Sequence, residues 1–291
     1  MSTFLVRYGE IGLKGFPVRK RFESILVENI LRAHSLSNVS CIVERLPGRF
    51  FVTTEQPSVT VGILSRSFGV VSVSQVEETT SDPEAIAARA VELAKKKLSK
   101  KASFAVRARR TGDHKYTSME LASLIGKKIL EEIGQNSVRV SLSSPDEEIF
   151  VEVRNNKAYL FGEIIPGPGG LPLRSQGRIL SLIEDRKSLL ACWLMMKRGC
   201  NVVLLNRSDL DLKTVEILKP WNPWWRGPLE WNEGSLQDLI RLKHCSGLVL
   251  GWMLAEFESR EIIQLNMPVF YPLIGMAQGQ IAEHLKRLFS A

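Results

Sequence analysis

The stretch Pro166-Gly167-Pro168-Gly169-Gly170 divides the sequence into two parts with different patterns. Two prolines and three glycines in five residues are typical of a linker, because neither residue favours the interior of a helix or strand. After this stretch, apolar runs predict strands at 179–183, 202–205, 248–250 and 269–271, and helical spacing predicts helices at 187–198, 256–265 and 278–288. Strands that alternate with helices indicate a parallel sheet, so the sequence predicts a small Rossmann-like α/β domain here.

The region before the linker opens with six elements in the order β-α-β-β-α-β. Apolar spacing predicts strands at 4–8, 39–46, 50–54 and 70–76 and helices at 18–33 and 59–67. Pro47-Gly48 marks the turn between the two middle strands. This order is that of the split βαβ motif, and it predicts a ferredoxin-like domain over residues 1–77.

A second domain of mixed α/β type is predicted over residues 78–165. Asp82-Pro83 indicates a helix start, because Asp caps the first amide groups and Pro fits the first helical position. Beyond it the pattern predicts a strand at 103–109, a helix that is capped by Ser118, and strands at 137–141, 149–154 and 158–161. The predicted class is therefore α/β and α+β, with a linker at 166–171 and a third domain at 172–291.

The composition of the 291-residue chain limits its classes of function. Lys and Arg outnumber Asp and Glu by 39 to 31, a net charge of +8, and a basic surface attracts polyanions such as nucleic acid. No run of 18 apolar residues and no secretory signal is present, which predicts no membrane partner. The four cysteines (Cys41, Cys192, Cys200 and Cys245) form no CxxC pair, which predicts a cytoplasmic protein without a disulfide framework or structural zinc.

The strand predicted at 103–109 carries arginines at alternate positions. Arg107 and Arg109 therefore leave the same face, and Arg110 and Lys115 follow in the predicted loop. Two interpretations stay open. The arginines contact RNA phosphates, which the basic charge of the chain favours, or they pair with nearby Glu side chains.

Three more lysines are candidates for contact with RNA. Lys14 lies in the loop Gly9-Glu10-Ile11-Gly12-Leu13-Lys14-Gly15, whose backbone amides would suit a phosphate. Its spacing fits neither GxGxxG nor a Walker A loop, so a tight structural turn is the favoured interpretation. Lys127 and Lys128 lie on the helix predicted after Ser118.

Four of the six tryptophans lie between Pro220 and Trp231. Exposed indoles stack on unpaired bases, whereas buried indoles anchor an interface or a core. The interface or core interpretation is favoured, with the Trp221–Trp231 loop as the candidate interface of a homodimer and Trp224 as the residue whose replacement tests it. The four histidines show no metal-ligand spacing, so no metal site is predicted, and no catalytic residue is identified.

Several strings of the sequence resemble the tRNA 4-thiouridine synthetase family. They are Arg7-Tyr8-Gly9-Glu10-Ile11-Gly12-Leu13-Lys14-Gly15, Met195-Met196-Lys197-Arg198-Gly199 and Met267-Pro268-Val269-Phe270-Tyr271-Pro272-Leu273-Ile274-Gly275. The resemblance spans nearly the whole chain. It implies a ferredoxin-like domain and a THUMP domain that bind tRNA by shape and phosphate contacts, a homodimer, and a C-terminal domain related to ATP pyrophosphatases.

The family's ATP-binding PP-loop, of the form SGGxDS, departs most from this sequence. The corresponding residues are Ile183, Glu184, Asp185, Arg186, Lys187 and Ser188. The family's glycines let backbone amides approach the ATP phosphates, whereas Glu184 and Asp185 bring negative charge and side-chain bulk to that position. The family's TGE-type strand end likewise reads Leu250-Gly251-Trp252.

These departures predict a degenerate PP-loop, no cofactor, and a protein that binds tRNA without adenylating it. The alternative is an active tRNA sulfurtransferase that makes 4-thiouridine, with an altered site for ATP and Mg²⁺ and with Cys245 or a partner as the source of sulfur. No DNA partner is expected under either interpretation.

Overall fold

The computed structural model describes residues 1–134, 137–229, 235–261 and 263–290. The strands are β1 (Ser2–Tyr8), β2 (Cys41–Leu46), β3 (Arg49–Thr54), β4 (Val70–Thr80), β5 (Ser103–Thr111), β6 (Arg139–Val140), β7 (Glu147–Arg154), β8 (Lys157–Phe161), β9 (Ile165–Pro166), β10 (Arg178–Ile183), β11 (Asn201–Asn206), β12 (Leu248–Val249) and β13 (Val269–Phe270). The helices are α1 (Phe16–Leu36), α2 (Pro57–Leu64), α3 (Pro83–Lys97), α4 (Ser118–Ile133), α5 (Arg186–Lys197), α6 (Leu212–Val215), α7 (Leu236–Leu242), α8 (Leu254–Ser259) and α9 (Gln278–Ser290), with 3₁₀ turns at Glu10–Leu13 and Glu216–Trp221. Across the described ranges, every helix is too short or too polar to span a membrane.

The predicted fold class is confirmed. The ferredoxin-like order is that of β1, α1, β2, β3, α2 and β4, and the C-terminal strands form a parallel sheet. The structure corrects the start of α4. Thr117, not Ser118, caps this helix, because its hydroxyl accepts a hydrogen bond from the Glu120 amide at 3.1 Å while the Glu120 carboxylate accepts one from the Thr117 amide at 2.7 Å. This capping box is visible in the sequence as T-x-x-E.

The chain divides into two compact units, and the first consists of Met1–Val6, Glu44–Pro57 and Ser72–Pro166. Its strands form one mixed sheet in the order β2-β3-β1-β4-β8-β7-β5-β6, with β9 beside β4. Helices α3 and α4 cover one face over a core that includes Ile86, Phe104, Leu121, Ile125 and Ile149. The other face carries a second buried cluster of Leu5, Phe51, Val76, Tyr159 and Phe161.

The second unit consists of Arg7–Val43, Ser58–Val71 and Gly167–Ala291. The units are therefore not the same as the predicted segments, since the strands of residues 1–77 fall mostly in unit one and helices α1 and α2 in unit two. A parallel sheet in the order β11-β10-β12-β13 forms the centre of the C-terminal region. Its helices differ from the prediction: α8 covers 254–259 rather than 256–265, and α6 and α7 were not predicted.

Candidate functional site

The side chains of β5 alternate between the two faces of the sheet in unit one. Phe104 and Val106 pack in the core beneath α3 and α4. Because side chains two residues apart share a face, Arg107 and Arg109 lie together on the opposite face, as the sequence predicts. Strand β5 extends to Thr111, which corrects the predicted loop position of Arg110 and directs it away from Arg109.

Arg107 is engaged by one carboxylate and one backbone carbonyl. Its Nε donates to Glu148 Oε1 at 2.7 Å, and its guanidinium also donates to the carbonyl of Leu142 at 2.8 Å. It lines an open cleft of about 600 Å³ together with Asp146 and Glu163. For Arg107 the structure therefore shows the second interpretation, pairing with Glu, and the acidic cleft disfavours a phosphate there.

Arg109, Arg110 and Lys115 are exposed at the end of β5 and in the loop after it. None of the three forms an ion pair with any described residue. The neighbour of Arg109 in register is Glu152, but that carboxylate is engaged elsewhere. Arg110 makes one long hydrogen bond, 3.4 Å, to the carbonyl of Gly112. This group keeps its positive charge available to an anion.

Glu152 is the centre of a charged cluster that sequence reasoning missed. It is 7 % exposed and accepts hydrogen bonds from Arg154 at 2.7 Å and from Arg49 at 3.2 Å. Arg154 also donates to the carbonyl of Pro47 at 3.0 Å. The alternation of Glu152 and Arg154 in β7 was a visible signal, but Arg49 lies 103 residues away in sequence.

The remaining candidate lysines differ in their surroundings. Lys127 pairs with Glu131 at 3.7 Å, and Lys128 pairs with Glu84 at 3.1 Å. The hydrogen bond from Lys128 to Glu84 raises the pKa of this lysine. Lys14, in unit two, is exposed and has no ion pair in the described chain.

The loop that contains Lys14 is a tight turn, as the favoured interpretation predicts. The Gly12 amide donates to the carbonyl of Gly9 at 2.9 Å. A Cβ atom at position 9 would approach the Val71 side chain to 2.8 Å, so only glycine fits without a shift of its neighbour.

The turn between β10 and α5 is closed by its own side chains. Ile183 is buried at the end of β10, and Arg186 is the first residue of α5. Asp185 is the N-cap: its Oδ1 accepts from both the amide and the hydroxyl of Ser188, each at 2.9 Å. The carboxylate thus lies over the amide groups at the positive end of the helix.

Lys187 lies between two carboxylates beside this turn. Its Nζ contacts Asp185 at 2.5 Å and Glu256 at 2.9 Å. Burial lowers the pKa of Lys187, but the hydrogen bonds to the two carboxylates outweigh it and raise the pKa above its usual value. Burial likewise raises the pKa of Asp185, but hydrogen bonds from Lys187 and Ser188 lower it below its usual range.

Glu184 is held by the segment after β12. Its Oε2 accepts from the indole Nε1 of Trp252 at 2.8 Å and lies 3.5 Å from Arg260. Gly251 permits this packing, because a Cβ atom there would lie 2.6 Å from the Cα of Ser188. The segments 184–188 and 251–252 therefore pack against each other.

The four cysteines are free thiols, and Cys192, Cys200 and Cys245 are buried in hydrophobic clusters. Burial raises the pKa of Cys192 to about 12 and that of Cys245 to about 11, although Arg178 and Lys243 oppose the shift at Cys245. Thiols with such pKa values are not thiolates at neutral pH, so they are poor nucleophiles. No cluster of metal-ligating side chains occurs in the residues described.

The three described tryptophans of 220–231 pack within the chain itself. Trp221 contacts the rings of Trp193 and Phe68, and Trp224 and Trp225 pack against the same core. Trp231 lies outside the described residues. The structure thus supports the core interpretation for the three described rings.

Two family models match the chain. The ThiI ferredoxin-like domain matches residues 3–74, and the THUMP domain matches residues 80–163.

Several relatives that match nearly the whole of this chain are named tRNA sulfurtransferases. A probable tRNA sulfurtransferase from Methanosarcina mazei is 30% identical over 335 positions, which cover 99% of this chain and 82% of that protein. One from Methanocaldococcus jannaschii is 31% identical, over 98% of this chain and 87% of its own length. Because 335 positions exceed the 291 residues of the chain by 44, the first relative carries at least that many residues absent here.

Two solved structures share the fold. The crystal structure of PH1313 from Pyrococcus horikoshii Ot3 matches with a TM-score of 0.83 and 32% identity, over 99% of this chain and 100% of that one. A 4-thiouridine synthetase crystallised with RNA and ATP matches with a TM-score of 0.74 and 21% identity, over 99% and 85% of the two chains.

Proposed function

The chain belongs to the tRNA sulfurtransferase family, and from that premise we propose that it binds tRNA through the exposed cations at the end of β5. Arg109, Arg110 and Lys115 carry the proposal. Cations without a carboxylate partner neutralise phosphates and release counterions, whereas a paired cation must first give up its partner. These residues lie within the THUMP match at 80–163, and the net charge of +8 favours the same kind of partner. Base-paired RNA is bound mainly by shape and phosphate contacts, which these side chains suit.

Filter retention of bulk tRNA across a salt series tests this proposal. We expect binding at low salt that weakens steeply as salt rises, because each neutralised phosphate releases condensed counterions. Absence of retention at the lowest salt would overturn the proposal, since electrostatic attraction is strongest there.

The finer part of the proposal is that this chain does not bind ATP at the β10–α5 turn. The Asp185 carboxylate already accepts a hydrogen bond from the Ser188 amide. A phosphate bound at the helix N-terminus would need such amide groups as donors. Glu184 adds a second negative charge, and both side chains are held by hydrogen bonds. Because these residues do not fit a triphosphate, we derive no adenylation step for this protein.

The second candidate function is an active tRNA sulfurtransferase, and the names of the relatives favour it. It requires an ATP site at or near this turn and a source of sulfur, and the raised pKa of Cys245 disfavours this thiol in that role.

Thermal unfolding with ATP and Mg²⁺ separates the two candidates. A ligand that binds only the native state raises the midpoint, by an amount that grows with its concentration over Kd. We expect no rise with ATP beyond that seen with GTP at the same concentration. A rise specific to ATP would establish the second candidate and remove the finer part of our proposal.

The homodimer belongs to the proposal as well. Sedimentation of the wild-type chain tests it, and a monomer at all concentrations would remove it. Trp224 is not proposed as its anchor, because the structure engages this ring with Asn29 of the same chain at 2.8 Å.

A further inference from the structure

Two neighbouring cavities in unit two flank the loop 219–229, and each is lined by several cationic side chains. The larger, about 580 Å³, has Arg32, Arg66 and Lys219 among its lining residues. The smaller, about 270 Å³, has Arg174, Arg178, Arg226 and Lys243. Asn222 and Trp225 line both cavities, so these share a wall. Among the described residues that line them there is no Asp or Glu.

The smaller cavity lies at the edge of the C-terminal sheet away from the β10–α5 turn. Arg178 opens β10, Asn201 opens β11, and Lys243 precedes β12, so the cavity faces the amino ends of these parallel strands. The β10–α5 turn lies at the carboxyl end of β10. The loop is tied to this sheet because the Leu229 amide donates to the carbonyl of Leu204 at 2.7 Å.

The two central indoles of the loop, Trp224 and Trp225, differ in the contacts of their rings. The guanidinium groups of Arg32 and Arg174 lie over the ring of Trp224, 4.2 Å and 3.9 Å from its centre. Its Nε1 also donates to Asn29 at 2.8 Å, which holds the loop in place. Trp225 is half-buried, and its ring contacts no aromatic or cationic group in the part of the chain that the structure describes. A fixed loop therefore places the half-buried Trp225, which packs against the hydrophobic core, in the wall shared by two basic cavities.

The charges of the smaller cavity are poorly balanced by the protein. Arg226 and Lys243 form no ion pair with any described residue. Arg174 has Glu28 at 3.7 Å, but that carboxylate is half exposed and does not line the cavity. Like charges that share a small volume repel, and a phosphate group would relieve this repulsion with charge-assisted hydrogen bonds.

We propose that the two cavities bind a segment of single-stranded RNA, with phosphates against the cations of the smaller cavity and a base stacked on Trp225. Cationic grooves interrupted by exposed aromatic rings are how proteins bind unpaired nucleic acid strands. Two basic cavities joined through one indole suit successive nucleotides rather than one small anion. The site is separate from the cations of β5 and rests on the proposed tRNA binding only for the source of the strand.

Fluorescence anisotropy of a short labelled oligouridylate, titrated with the full chain, tests the proposal. Arg226→Ala with Lys243→Ala removes two cations that make no side-chain hydrogen bond in the described chain. We expect binding to weaken about tenfold, and the slope of log K against log salt to fall by about 1.4, as two lost phosphate contacts on a single strand require. Trp225→Leu should weaken binding about fivefold to hundredfold, and Trp225→Phe should retain most of it.

The matched control is Lys213→Ala with Arg241→Ala, which removes the same charge from exposed positions outside both cavities. Equal weakening by this control would overturn the site, because it would show a response to net charge alone. If AMP displaces the oligomer at equal concentration, the cavities bind a single nucleotide, and the proposal that they bind a strand is overturned.

The variant Arg109→Ala, Arg110→Ala, Lys115→Ala separates this site from the proposed function. It should keep oligouridylate binding while it weakens binding of intact tRNA. Oligomer binding that is lost in this variant but kept in the Arg226 and Lys243 variant would overturn the cavity site. Wild-type chain that binds the oligomer but no tRNA would overturn the proposed function and leave this site standing.

Discussion

The end of β5 and the β10–α5 turn both carry closely spaced charges. The charges at the end of β5 are unpaired among the described residues, whereas those at the turn are paired with one another. At β5, Arg109, Arg110 and Lys115 have no ion pair in the described chain. At the turn, Lys187 lies between Asp185 and Glu256. The first arrangement leaves charge available to a ligand, and the second uses its charge within the fold. A count of basic residues therefore does not identify a binding surface, whereas the distribution of carboxylates around them does.

The same contrast appears on one face of the sheet in unit one. Arg154 and Arg49 share the buried Glu152, and Arg107 has Glu148, whereas Arg109 is exposed. The same face thus carries arginines that are paired with carboxylates and one arginine that is exposed to a ligand.

The largest effect is expected at the available cations. Arg109→Ala, Arg110→Ala and Lys115→Ala together should weaken tRNA binding about hundredfold at low salt, and should lower the slope of log K against log salt by about 2 to 3, since each phosphate contact accounts for about 0.9. Filter retention across a salt series measures both quantities.

The matched control removes three cations that have carboxylate partners. Lys95→Ala, Lys127→Ala and Lys128→Ala delete lysines that pair with Glu132, Glu131 and Glu84. This control should lose much less affinity. Equal losses in the two triple variants would contradict the comparison, and would support the sequence-based prediction that Lys127 and Lys128 contact RNA.

Glu152→Ala should lower the free energy of unfolding by about 1 to 3 kcal/mol, because it leaves two partly buried guanidinium groups without their shared acceptor. Arg109→Ala should change it by about 0.5 kcal/mol or less, as is usual for an exposed residue without partners. Urea unfolding measures both. A loss at Arg109 as large as that at Glu152 would mean that Arg109 is structural.

Asp185→Ala should lower the free energy of unfolding by about 1 kcal/mol, the usual value for a lost N-cap. Asp185→Asn is the matched control, because Asn caps helices equally well without the charge. Thermal unfolding of the two variants separates the cap from the ion pair with Lys187. If both lose the same stability, the ion pair rather than the cap is the source.

The smallest effect is a dependence of stability on acid pH. The pKa values of Asp185 and Glu256 lie below their usual ranges in the folded chain, since hydrogen bonds from Lys187 and from backbone amides outweigh the opposing effect of burial. Each carboxyl then binds fewer protons folded than unfolded, so its contribution is fully present above about pH 4, the unfolded value, and is lost as the pH falls through the folded value.

Thermal midpoints measured from neutral pH to about pH 3 check this sign, because that range covers the ordinary pKa of a carboxyl group. The Asp185→Asn variant should lose less stability on acidification than the wild type. A steeper loss in the variant would contradict the direction of the pKa shift at Asp185.

The helix starts and strand faces that could be predicted from the sequence depend on local interactions. The Asp82 cap forms as expected, with its carboxylate 2.9 Å from the Ala85 amide, because both partners lie within one turn of helix. The strand alternation that places Arg107 and Arg109 on one face is equally local. The T-x-x-E box at Thr117 was also readable, and its neglect misplaced the start of α4 by one residue.

The sequence by itself determined the order of the elements in the ferredoxin-like region, the three kinds of domain, the basic charge and the family, because each depends on neighbouring residues or on strings that can be compared directly. Only the tertiary structure decided which charges are available. Glu148 lies 41 residues from Arg107, Glu256 lies 69 residues from Lys187, and Asn29 lies 195 residues from Trp224. Coulomb interaction and hydrogen bonding act over a few ångströms in space, so the pairing that separates a binding surface from a structural cluster exists only once the chain has folded.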